Sequence, residues 1–273
     1  MTVRIAHLSD IHFGGEIAEA AEAAIEAVEA FQPTLTVVSG DLTLNGLPRE
    51  FRAARAWLAR LPADRLVTPG NHDTPYWNLV LRALVPFDRY RRYIGAAQAA
   101  RFDAPGLSAR CLNSARGAQP RLNWSQGAIS VLDLARIDWG AQPEPALRLF
   151  ACHHPLIDIE GAPVTGGVHR GPQAAAMLMA AGVELVLTGH VHNPFVLPLG
   201  RGARACYAIG AGTLSQRTRG TPASYSTLVV DAARIEVTAI GWVGGRFEPI
   251  QAWTLSRDRP AVAGPGEVAQ ATD

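Results

Sequence analysis

Short apolar runs recur along the chain, and each ends in glycine, serine, aspartate, asparagine or histidine. Runs this short, rich in Val, Ile and Leu, predict strands that are buried on both faces of a sheet. The clearest runs are VRIAHLSD, TLTVVSGD, DRLVTPGN, LRLFACHH and VELVLTGH, which begin at Val3, Thr34, Asp64, Leu147 and Val183.

Helical patterns lie between several of these runs. Residues 16–31 and 49–61 carry apolar side chains at helical spacing, and 171–182 has proline near its start and glycine at its end. That asymmetry is typical of helix termini. The alternation of strands and helices predicts an α/β fold with a largely parallel sheet, in which ligands bind beyond the carboxyl ends of the strands.

The last third of the chain is strand-rich, with little helical pattern. ARACYAIGAG, YSTLVVDA and RIEVTAIGWVGGRFEPI predict an antiparallel portion in a second sheet. We expect a single domain over residues 1–256, followed by a flexible Pro-, Gly- and Ala-rich tail at 257–273. Residues 74–145 fit the alternation least. Within them, 75–95 predicts either a helical cap over the site or an ordinary amphipathic helix with a solvated face.

Composition narrows the class of partner. Hydrophobic residues make up 48%, charged residues 18%, and the net charge is +1, so bulk electrostatics point to no particular partner. No nucleic-acid polymer is expected, because such a partner usually requires a basic excess, and peripheral association with a membrane stays open. Three widely spaced cysteines fit a reducing compartment. The N-terminus does not resemble a signal peptide, and no apolar run reaches the ~20 residues of a transmembrane segment. These features predict a cytoplasmic protein, and they leave its oligomeric state open.

Histidines and carboxylates follow five of the predicted strands, in the segments DIH, GD, GNHD, HHP and GHVH. Parallel strand ends meet at one edge of a sheet, and clustered carboxylates need positive charge beside them. Oxygen and imidazole ligands without thiolate suit Mn, Fe, Zn or Co. Seven side chains with one shared carboxylate suffice for two divalent ions. The seven are Asp10, His12, Asp41, Asn71, His153, His190 and His192.

The ordered motifs D-x-H, GD, GNHD, H and GHxH resemble those of the calcineurin-like metallophosphoesterases. The resemblance implies two mixed β-sheets packed as a sandwich and flanked by helices. It also implies that one ion is held by Asp10, His12 and His192, and the other by Asn71, His153 and His190. Asp41 would bridge the ions. His72 would face the substrate, where it stabilises the phosphoryl oxygens or protonates the leaving group, and Asp73 would orient it.

Other side chains carry weaker signals. His154 is expected to line the pocket behind His153, although the reverse assignment of these two histidines stays open. Contacts with substrate are also considered for Asn113, Arg116, His169 and Arg170, each of which could equally belong to a turn or loop without a function. Aromatic side chains could stack on a base, pack against an acyl chain or fill a core, and these are Tyr76, Trp77 and Trp124.

The resemblance implies a dinuclear-metal-dependent phosphodiesterase acting on a small-molecule phosphoester. Chain length and the HHP block are similar to the bacterial branch that acts on cyclic nucleotides and glycerophosphodiesters. Thr43 and Leu44 after Asp41 give no information on the branch, and Leu156 stands where a second proline often follows HHP. Two alternatives use the same metals, a phosphomonoesterase and a pyrophosphatase of the UDP-diacylglucosamine type. A non-catalytic protein-binding scaffold, like the family's retromer subunit, is a third hypothesis.

Overall fold

The computed structural model describes residues 2–62, 64–97, 99–120, 123–140, 146–159, 168–201 and 205–257. Twelve strands and six helices lie within these residues. In chain order they are β1 Val3–Leu8, α1 Ala18–Phe31, β2 Leu35–Val38, α2 Pro48–Leu58, β3 Arg65–Val67, α3 Leu79–Leu84, α4 Asp88–Tyr93, β4 Ala99–Ala104, β5 Leu107–Leu112, α5 Val131–Ala135, β6 Leu147–Ala151, α6 Gly171–Ala180, β7 Leu185–Thr188, β8 Phe195–Arg201, β9 Ala205–Gly210, β10 Ser224–Val230, β11 Arg234–Val243 and β12 Arg246–Ser256.

The strands form two mixed six-stranded sheets, which confirms the predicted fold class. The first has the order β12-β11-β10-β1-β2-β3, and the second has the order β4-β5-β6-β7-β9-β8. β1, β2 and β3 run parallel, as do β5, β6, β7 and β9. The ligand motifs therefore follow parallel strands in both sheets, at the end where each strand finishes.

The antiparallel portion predicted for the last third is present, but it is divided between the two sheets instead of lying in a second one. β10, β11 and β12 extend the first sheet beside β1, and Ile5 pairs with Leu228 in the antiparallel ladder. β9 joins the second sheet parallel to β7 and antiparallel to β8. Strands rich in apolar residues find a buried face in either sheet, so their hydrophobic pattern did not determine which sheet they join.

Four layers bury the apolar positions. Successive residues of a strand point to opposite faces, so Ile5 packs between the two sheets while Ala6 and Leu8 pack against α1 and α2. The second sheet repeats this arrangement, because Leu149 lies between the sheets. Phe150 packs on its other side, in the cluster that contains residues of α6. Burial on both faces explains why the strand runs are continuously apolar.

The segment 75–95 is helical but broken. Pro86 separates α3 from α4, as expected for a residue that cannot donate a backbone hydrogen bond. Tyr90 of α4 is buried and meets Phe51 of α2 edge to face, with ring centroids 6.4 Å apart. The wider region 74–145 is not a layer of its own, since β4 and β5 belong to the second sheet.

The predicted tail lies outside the described residues, except for its first residue. Arg257 is buried, and its guanidinium makes two 2.8 Å hydrogen bonds with the carboxylate of Glu184. The end of β12 is thereby attached to the second sheet, because Glu184 directly precedes β7. Among the described residues, no helix combines the length and apolarity needed to span a membrane.

Candidate metal centre

Strand ends from both sheets meet at one buried cluster, and glycine makes this close approach possible. A Cβ atom at Gly189 would lie 1.9 Å from Ser9 Oγ and 2.4 Å from Asp10 Oδ2. A Cβ at Gly70 would lie 2.1 Å from Asp41 Oδ1. The loops after β7 and β3 therefore need glycine to pass directly beside the carboxylates.

The backbone of the cluster is held in the left-handed conformation at several non-glycine residues. Seven described non-glycine residues have a positive φ, and five of them are predicted ligands. The five are Asp10 at 55°, His12 at 51°, Asp41 at 51°, His190 at 71° and His192 at 63°. Such a conformation is uncommon for L-residues and concentrates at functional sites, where neighbouring structure enforces it.

Three side chains predicted to share one ion lie together. His192 Nε2 is 3.1 Å from Asp10 Oδ1 and 3.2 Å from His12 Nε2, and His12 Nε2 is 3.7 Å from Asp10 Oδ1. Ligands about 2.1 Å from a common ion stand roughly 3.0–3.4 Å from one another. Two of the three distances fall in this range and the third, 3.7 Å, is slightly longer, so the spacing of the group fits ligands that draw together around a single ion.

Asp41 lies between this group and a second one. Its Oδ2 atom is 3.8 Å from His12 Nε2 and 3.3 Å from His153 Nε2. Its other oxygen, Oδ1, accepts a 2.8 Å hydrogen bond from the backbone N–H of His72. Asp10 is held in the same manner, since its Oδ2 accepts a 2.9 Å bond from the backbone N–H of His190. Each carboxylate thus has one anchored oxygen and one that faces imidazole nitrogens.

Backbone carbonyls orient the imidazoles. Nδ1 of His153 lies 2.8 Å from Ser39 O, Nδ1 of His192 lies 2.7 Å from Arg217 O, and Nδ1 of His12 lies 3.3 Å from Thr43 O. A carbonyl only accepts, so each Nδ1 carries the proton and each Nε2 presents a lone pair to the cluster. Hydrogen bonds of this kind behind a metal-binding histidine fix its tautomer and raise its basicity as a ligand.

Several buried polar atoms of the cluster have no hydrogen-bond partner among the described residues, and a bound cation would satisfy them. In the part of the chain that the structure describes, these atoms include Asp10 Oδ1, Asn71 Oδ1 and His153 Nε2. A buried polar atom left without a partner costs roughly 1–3 kcal/mol, and more when it is charged. All three belong to predicted ligands and offer lone pairs. The donor set, its spacing and its unmet lone pairs therefore fit divalent cations.

The pKa shifts of the predicted ligands also indicate that the cluster needs a positive charge. Burial lowers the pKa of His12 and of His190 to about 3, which leaves both rings neutral. Burial also acts against charge on His153, but the Asp41 and Asp10 carboxylates raise the pKa of His153 to about 9. Burial alone would raise the pKa of Asp10, whereas His192 and His153 hold it well below its usual value. Without a metal, a proton on Nε2 of His153 therefore supplies the positive charge that the carboxylates require, and a bound cation would take the place of that proton.

The choice between His153 and His154 follows from their hydrogen bonds. His154, His153 and His190 lie close enough to share an ion by distance alone. However, Nδ1 of His154 is 2.8 Å from Ser114 Oγ, and its Nε2 is 2.8 Å from Ser125 O. Both ring nitrogens of His154 are thus engaged, and we expect His154 to line the pocket while His153 offers Nε2 to an ion.

His72 lies at the edge of the cluster, with its ring oriented from both sides. Its Nδ1 is 2.7 Å from the Leu44 carbonyl, and its Nε2 is 2.9 Å from Arg217 Nη1. The carbonyl only accepts and the guanidinium only donates, so Nδ1 carries the proton and Nε2 accepts. The ring meets that of His12 edge to face, with centroids 4.8 Å apart.

The expectation that Asp73 orients the His72 ring is corrected by these contacts. Asp73 Oδ1 accepts 2.9 Å bonds from Thr43 N and Thr43 Oγ1. Asp73 Oδ2 accepts from Gly70 N at 2.9 Å and from Leu42 N at 3.2 Å. The side chain turns away from the ring beside it and joins the loops that follow β2 and β3. Burial and the neighbouring Asp41 carboxylate raise the pKa of Asp73 to about 7, although these hydrogen bonds act in the opposite direction.

The other predicted substrate contacts make no hydrogen bond to a predicted ligand among the described residues. His169 and Arg170 are exposed, at the start of α6. Arg116 directs its guanidinium at nearby carbonyls, with Nη1 2.9 Å from Ala115 O. Asn113 is buried, and its Oδ1 accepts from Ala115 N at 2.8 Å, while its Nδ2 has no partner among the described residues. For Arg116 and Asn113 these contacts favour the turn that the sequence left open.

Three residues that the sequence did not assign hold the site together. Thr43 and Leu44 gave no information on the branch of the family from the sequence alone. In the structure, Thr43 donates to the Asp73 carboxylate, and the Leu44 carbonyl accepts from His72. Arg217 contacts two site residues, through its carbonyl to His192 and through its guanidinium to His72. Arg217 lies in a loop after β9, outside every recognised motif, so no pattern along the chain pointed to it.

A cleft of ≈ 650 Å³ opens from the cluster at Asn71 and His72. Aromatic and apolar side chains form its outer walls, and Trp77 and Leu79 are 75% and 58% exposed. The lining residues of this cleft are Asn71, His72, Tyr76, Trp77, Leu79, Arg82, Asn123, Trp124, Ser125 and Arg217. The predicted aromatic contacts Tyr76, Trp77 and Trp124 therefore share one cavity with His72.

The family profile of the calcineurin-like phosphoesterases matches residues 3–194, the part of the chain that carries every predicted metal ligand. The chain belongs to this family, and its activity class is the hydrolysis of phosphoric esters.

The individual relatives share only a small part of their sequence with this chain. A protein of Synechococcus sp. named "Probable cyclic nucleotide phosphodiesterase" is 25% identical over 254 residues, which cover 89% of this chain and 93% of the relative. A dimetal phosphatase from Danio rerio has a TM-score of 0.60 at 12% identity, covering 94% of this chain and 99% of that one.

A purple acid phosphatase from yellow lupin has a TM-score of 0.58 at 14% identity. The match covers 99% of this chain and 57% of the lupin enzyme, so this chain spans little more than half of that enzyme's length. At 12% and 14% identity, the similarity to these two solved structures establishes a shared fold and nothing more specific.

Proposed function

We propose that this protein is a dinuclear-metal-dependent phosphodiesterase that hydrolyses a small diester, such as a cyclic nucleotide or a glycerophosphodiester. The observation that carries the proposal is a pair of buried ligand groups that meet at Asp41, with lone pairs left unmet on Asp10, Asn71 and His153. The relationship to a Synechococcus protein named a probable cyclic nucleotide phosphodiesterase supports the substrate class.

The proposed ligand sets combine these contacts with the family resemblance, which supplies the places of Asn71 and His190. Asp10, His12 and His192 would hold one ion, and Asn71, His153 and His190 the other, with Asp41 shared. Divalent ions of the Mn, Fe, Zn or Co type supply Lewis acidity and make water acidic enough to ionise near neutral pH. These residues fix where such ions bind, because Nδ1 of His12, His153 and His192 and one oxygen each of Asp10 and Asp41 are already held by the backbone.

His72 is the residue to which we assign contact with the reacting phosphate. Leu44 orients the ring, and Nε2 points to the cleft, where Arg217 donates to it. With Nε2 as an acceptor, His72 can take a proton at this atom and pass it to the departing oxygen. Proton transfer by a positioned side chain contributes about 10²–10⁴-fold to rate.

Hydrolysis of bis-p-nitrophenyl phosphate tests the proposal. Protein stripped of metal should be inactive, and Mn²⁺, Fe²⁺, Co²⁺ or Zn²⁺ should restore turnover, with two ions per chain by elemental analysis. Folded protein that shows no turnover with any of the four ions would end the proposal. Purified protein that holds no metal at all would favour the scaffold hypothesis.

A pyrophosphatase acting on a UDP-linked lipid remains a second candidate, because part of the wall of the cleft is aromatic or apolar and exposed. Trp77, Leu79 and Leu84 are 75%, 58% and 75% exposed, on one short segment next to the site. Rates on a phosphomonoester, a phosphodiester and a UDP-linked lipid, measured with the same metal, separate the three chemistries. The cytoplasmic location and a small-molecule partner stay predictions.

A further inference from the structure

The loop that follows β9, residues 211–222, is attached to the metal cluster along its length. Thr213 Oγ1 donates to the backbone carbonyl of Asp10, and Gln216 N donates to Gly15 O at 3.0 Å. The Arg217 carbonyl accepts from His192 Nδ1 at 2.7 Å. The Arg219 carbonyl accepts from Asn193 Nδ2 at 2.9 Å. Side chains on this loop are therefore held in a fixed position relative to the ligands.

Two guanidinium groups project from the loop without acidic partners. The side-chain partner of Arg217 is the neutral ring of His72, which can supply no negative charge. Arg219 has a buried Nη1 atom with no hydrogen-bond partner within the described residues. Neither arginine makes an ion pair with a carboxylate in that part of the chain. By contrast, Arg60, Arg91, Arg110, Arg246 and Arg257 all do.

The position of the two arginines places them at the site. Arg217 lines the cleft together with Asn71 and His72. Arg219 stands two residues further along the same loop, and its backbone carbonyl accepts from Asn193, the residue that directly follows His192. Burial and the neighbouring Arg217 lower the pKa of Arg219, while Asp10 and Asp41 raise it, in agreement with this placement. Two cations that repel each other beside a buried cluster are stabilised when an anion binds between them.

We propose that Arg217 and Arg219 form an anion subsite for a second phosphoryl group of the substrate, in addition to the phosphate that is hydrolysed. The inference rests on the proposed function, in which the metal ions neutralise the single negative charge of the scissile diester. The scissile phosphate is then not available as a counter-ion for the arginine pair. The ligand class is therefore a small ester, such as a nucleotide, that carries a further phosphate.

Two nucleotides that differ by one phosphate measure the subsite directly. Adenosine 5′-monophosphate and adenosine 3′,5′-bisphosphate are titrated by calorimetry into the full chain at a fixed free Mn²⁺ concentration. A charge-assisted hydrogen bond is worth roughly 1.5–3 kcal/mol, so the second phosphate should tighten binding at least about tenfold. Arg219→Gln and Arg217→Gln should remove most of this gain, and Arg219→Lys should keep part of it.

Arg52→Gln, on the exposed face of α2, is the matched control and should leave the ratio of the two affinities unchanged. Equal affinities in the wild-type protein would overturn the inference. A tenfold gain that survives in the double variant Arg217→Gln/Arg219→Gln would overturn it as well. Circular dichroism and a thermal melt confirm that each variant is folded.

A second pair of compounds extends the test to turnover. Thymidine 5′-(p-nitrophenyl phosphate) and its 3′-phosphorylated derivative share one scissile bond, and the derivative should have a kcat/KM about tenfold higher. Hydrolysis of bis-p-nitrophenyl phosphate is measured in parallel. If that reaction occurs while the extra phosphate gives no gain, the subsite is wrong and the proposed function stands. If the reaction is absent, the proposed function fails, and the affinity ratio still decides the subsite.

Discussion

The metal-ligand cluster and the cleft beside it adjoin at His72, yet their residues are held in opposite ways. In the cluster, Asp10 and His12 are fully buried, and carbonyls or backbone N–H groups fix each side chain. In the cleft, Trp77 and Leu79 are largely exposed, on a segment interrupted by proline. The side chains of the cluster are therefore held in fixed positions, whereas those of the cleft can adapt to a ligand.

This difference shows how the fold divides chemistry from substrate choice. Strained backbone and buried unpaired atoms are tolerated where a cation can bind. Exposed aromatic side chains are tolerated where an organic group can bind, because burying them stabilises the complex. We therefore expect substitutions in the cluster to remove activity on every substrate, and substitutions in the cleft to change which substrates are preferred.

The largest effect is expected from Asp41→Ala, since Asp41 lies between both ligand groups. Metal content should fall below one ion per chain, and turnover of bis-p-nitrophenyl phosphate should fall to the background rate. Elemental analysis and the chromogenic assay measure the two quantities on the same preparation. Asp88→Ala, on the exposed surface, is the control. Full activity in Asp41→Ala would show that the groups do not act as a pair.

His72→Ala should separate chemistry from metal binding. The rate should drop by about 10²–10⁴-fold because the positioned proton carrier is lost. Metal content should stay at the wild-type value, because both ring nitrogens of His72 bond other groups, Leu44 and Arg217. A variant that loses its metal would instead make His72 a ligand, as its proximity to His12 and Asp41 permits.

Asp73→Asn tests the loop that carries both regions. The carboxylate accepts four hydrogen bonds, and an amide group would present N–H atoms to two of those donors. Two unsatisfied buried donors cost roughly 2–6 kcal/mol in the free energy of unfolding. Denaturant titration of the metal-free protein measures the loss. An unchanged midpoint would show that Asp73 does not hold the loops together.

The sequence was sufficient for the fold class and for the convergence of the ligand motifs, and the reason is geometric. Parallel strands end at a common edge, so residues such as Asp10 and His190 meet although 180 positions separate them. No comparable geometric rule predicts which side chains of different loops will contact each other. Asp73 neighbours His72 along the chain but turns to Thr43, and Arg217 reaches His72 from a loop without any motif.

Acid should weaken the folded state through buried histidines outside the ligand set. Burial lowers the pKa of His7 to about 3, so the unfolded chain binds a proton below about pH 6.5 that the folded chain does not. Stability is therefore lost as the pH falls from 6.5 towards 3, by up to about 1.4 kcal/mol per pH unit for this residue. His7→Gln can keep the contact with Ser39, and it should flatten the slope between pH 6 and pH 4.

That slope is measured by denaturant titration at each pH with a chelator present. The difference between wild-type protein and His7→Gln isolates His7, because other titrating groups are common to both proteins. Equal slopes for the two proteins would mean that His7 is protonated, or exposed to water, in the folded state.

The smallest effect on the fold, and the sharpest on selectivity, is expected from Trp77→Ala. Trp77 is 75% exposed, so the free energy of unfolding should change by no more than about 0.5 kcal/mol. KM for a nucleotide diester should rise about two- to tenfold, which corresponds to the roughly 0.5–1.5 kcal/mol of an aromatic contact. Leu132→Ala, 68% exposed on α5, should leave KM unchanged. If both variants kept the wild-type KM for nucleotide and lipid-linked substrates alike, the cleft would not bind the organic group, and selectivity would lie in the ligand loops themselves.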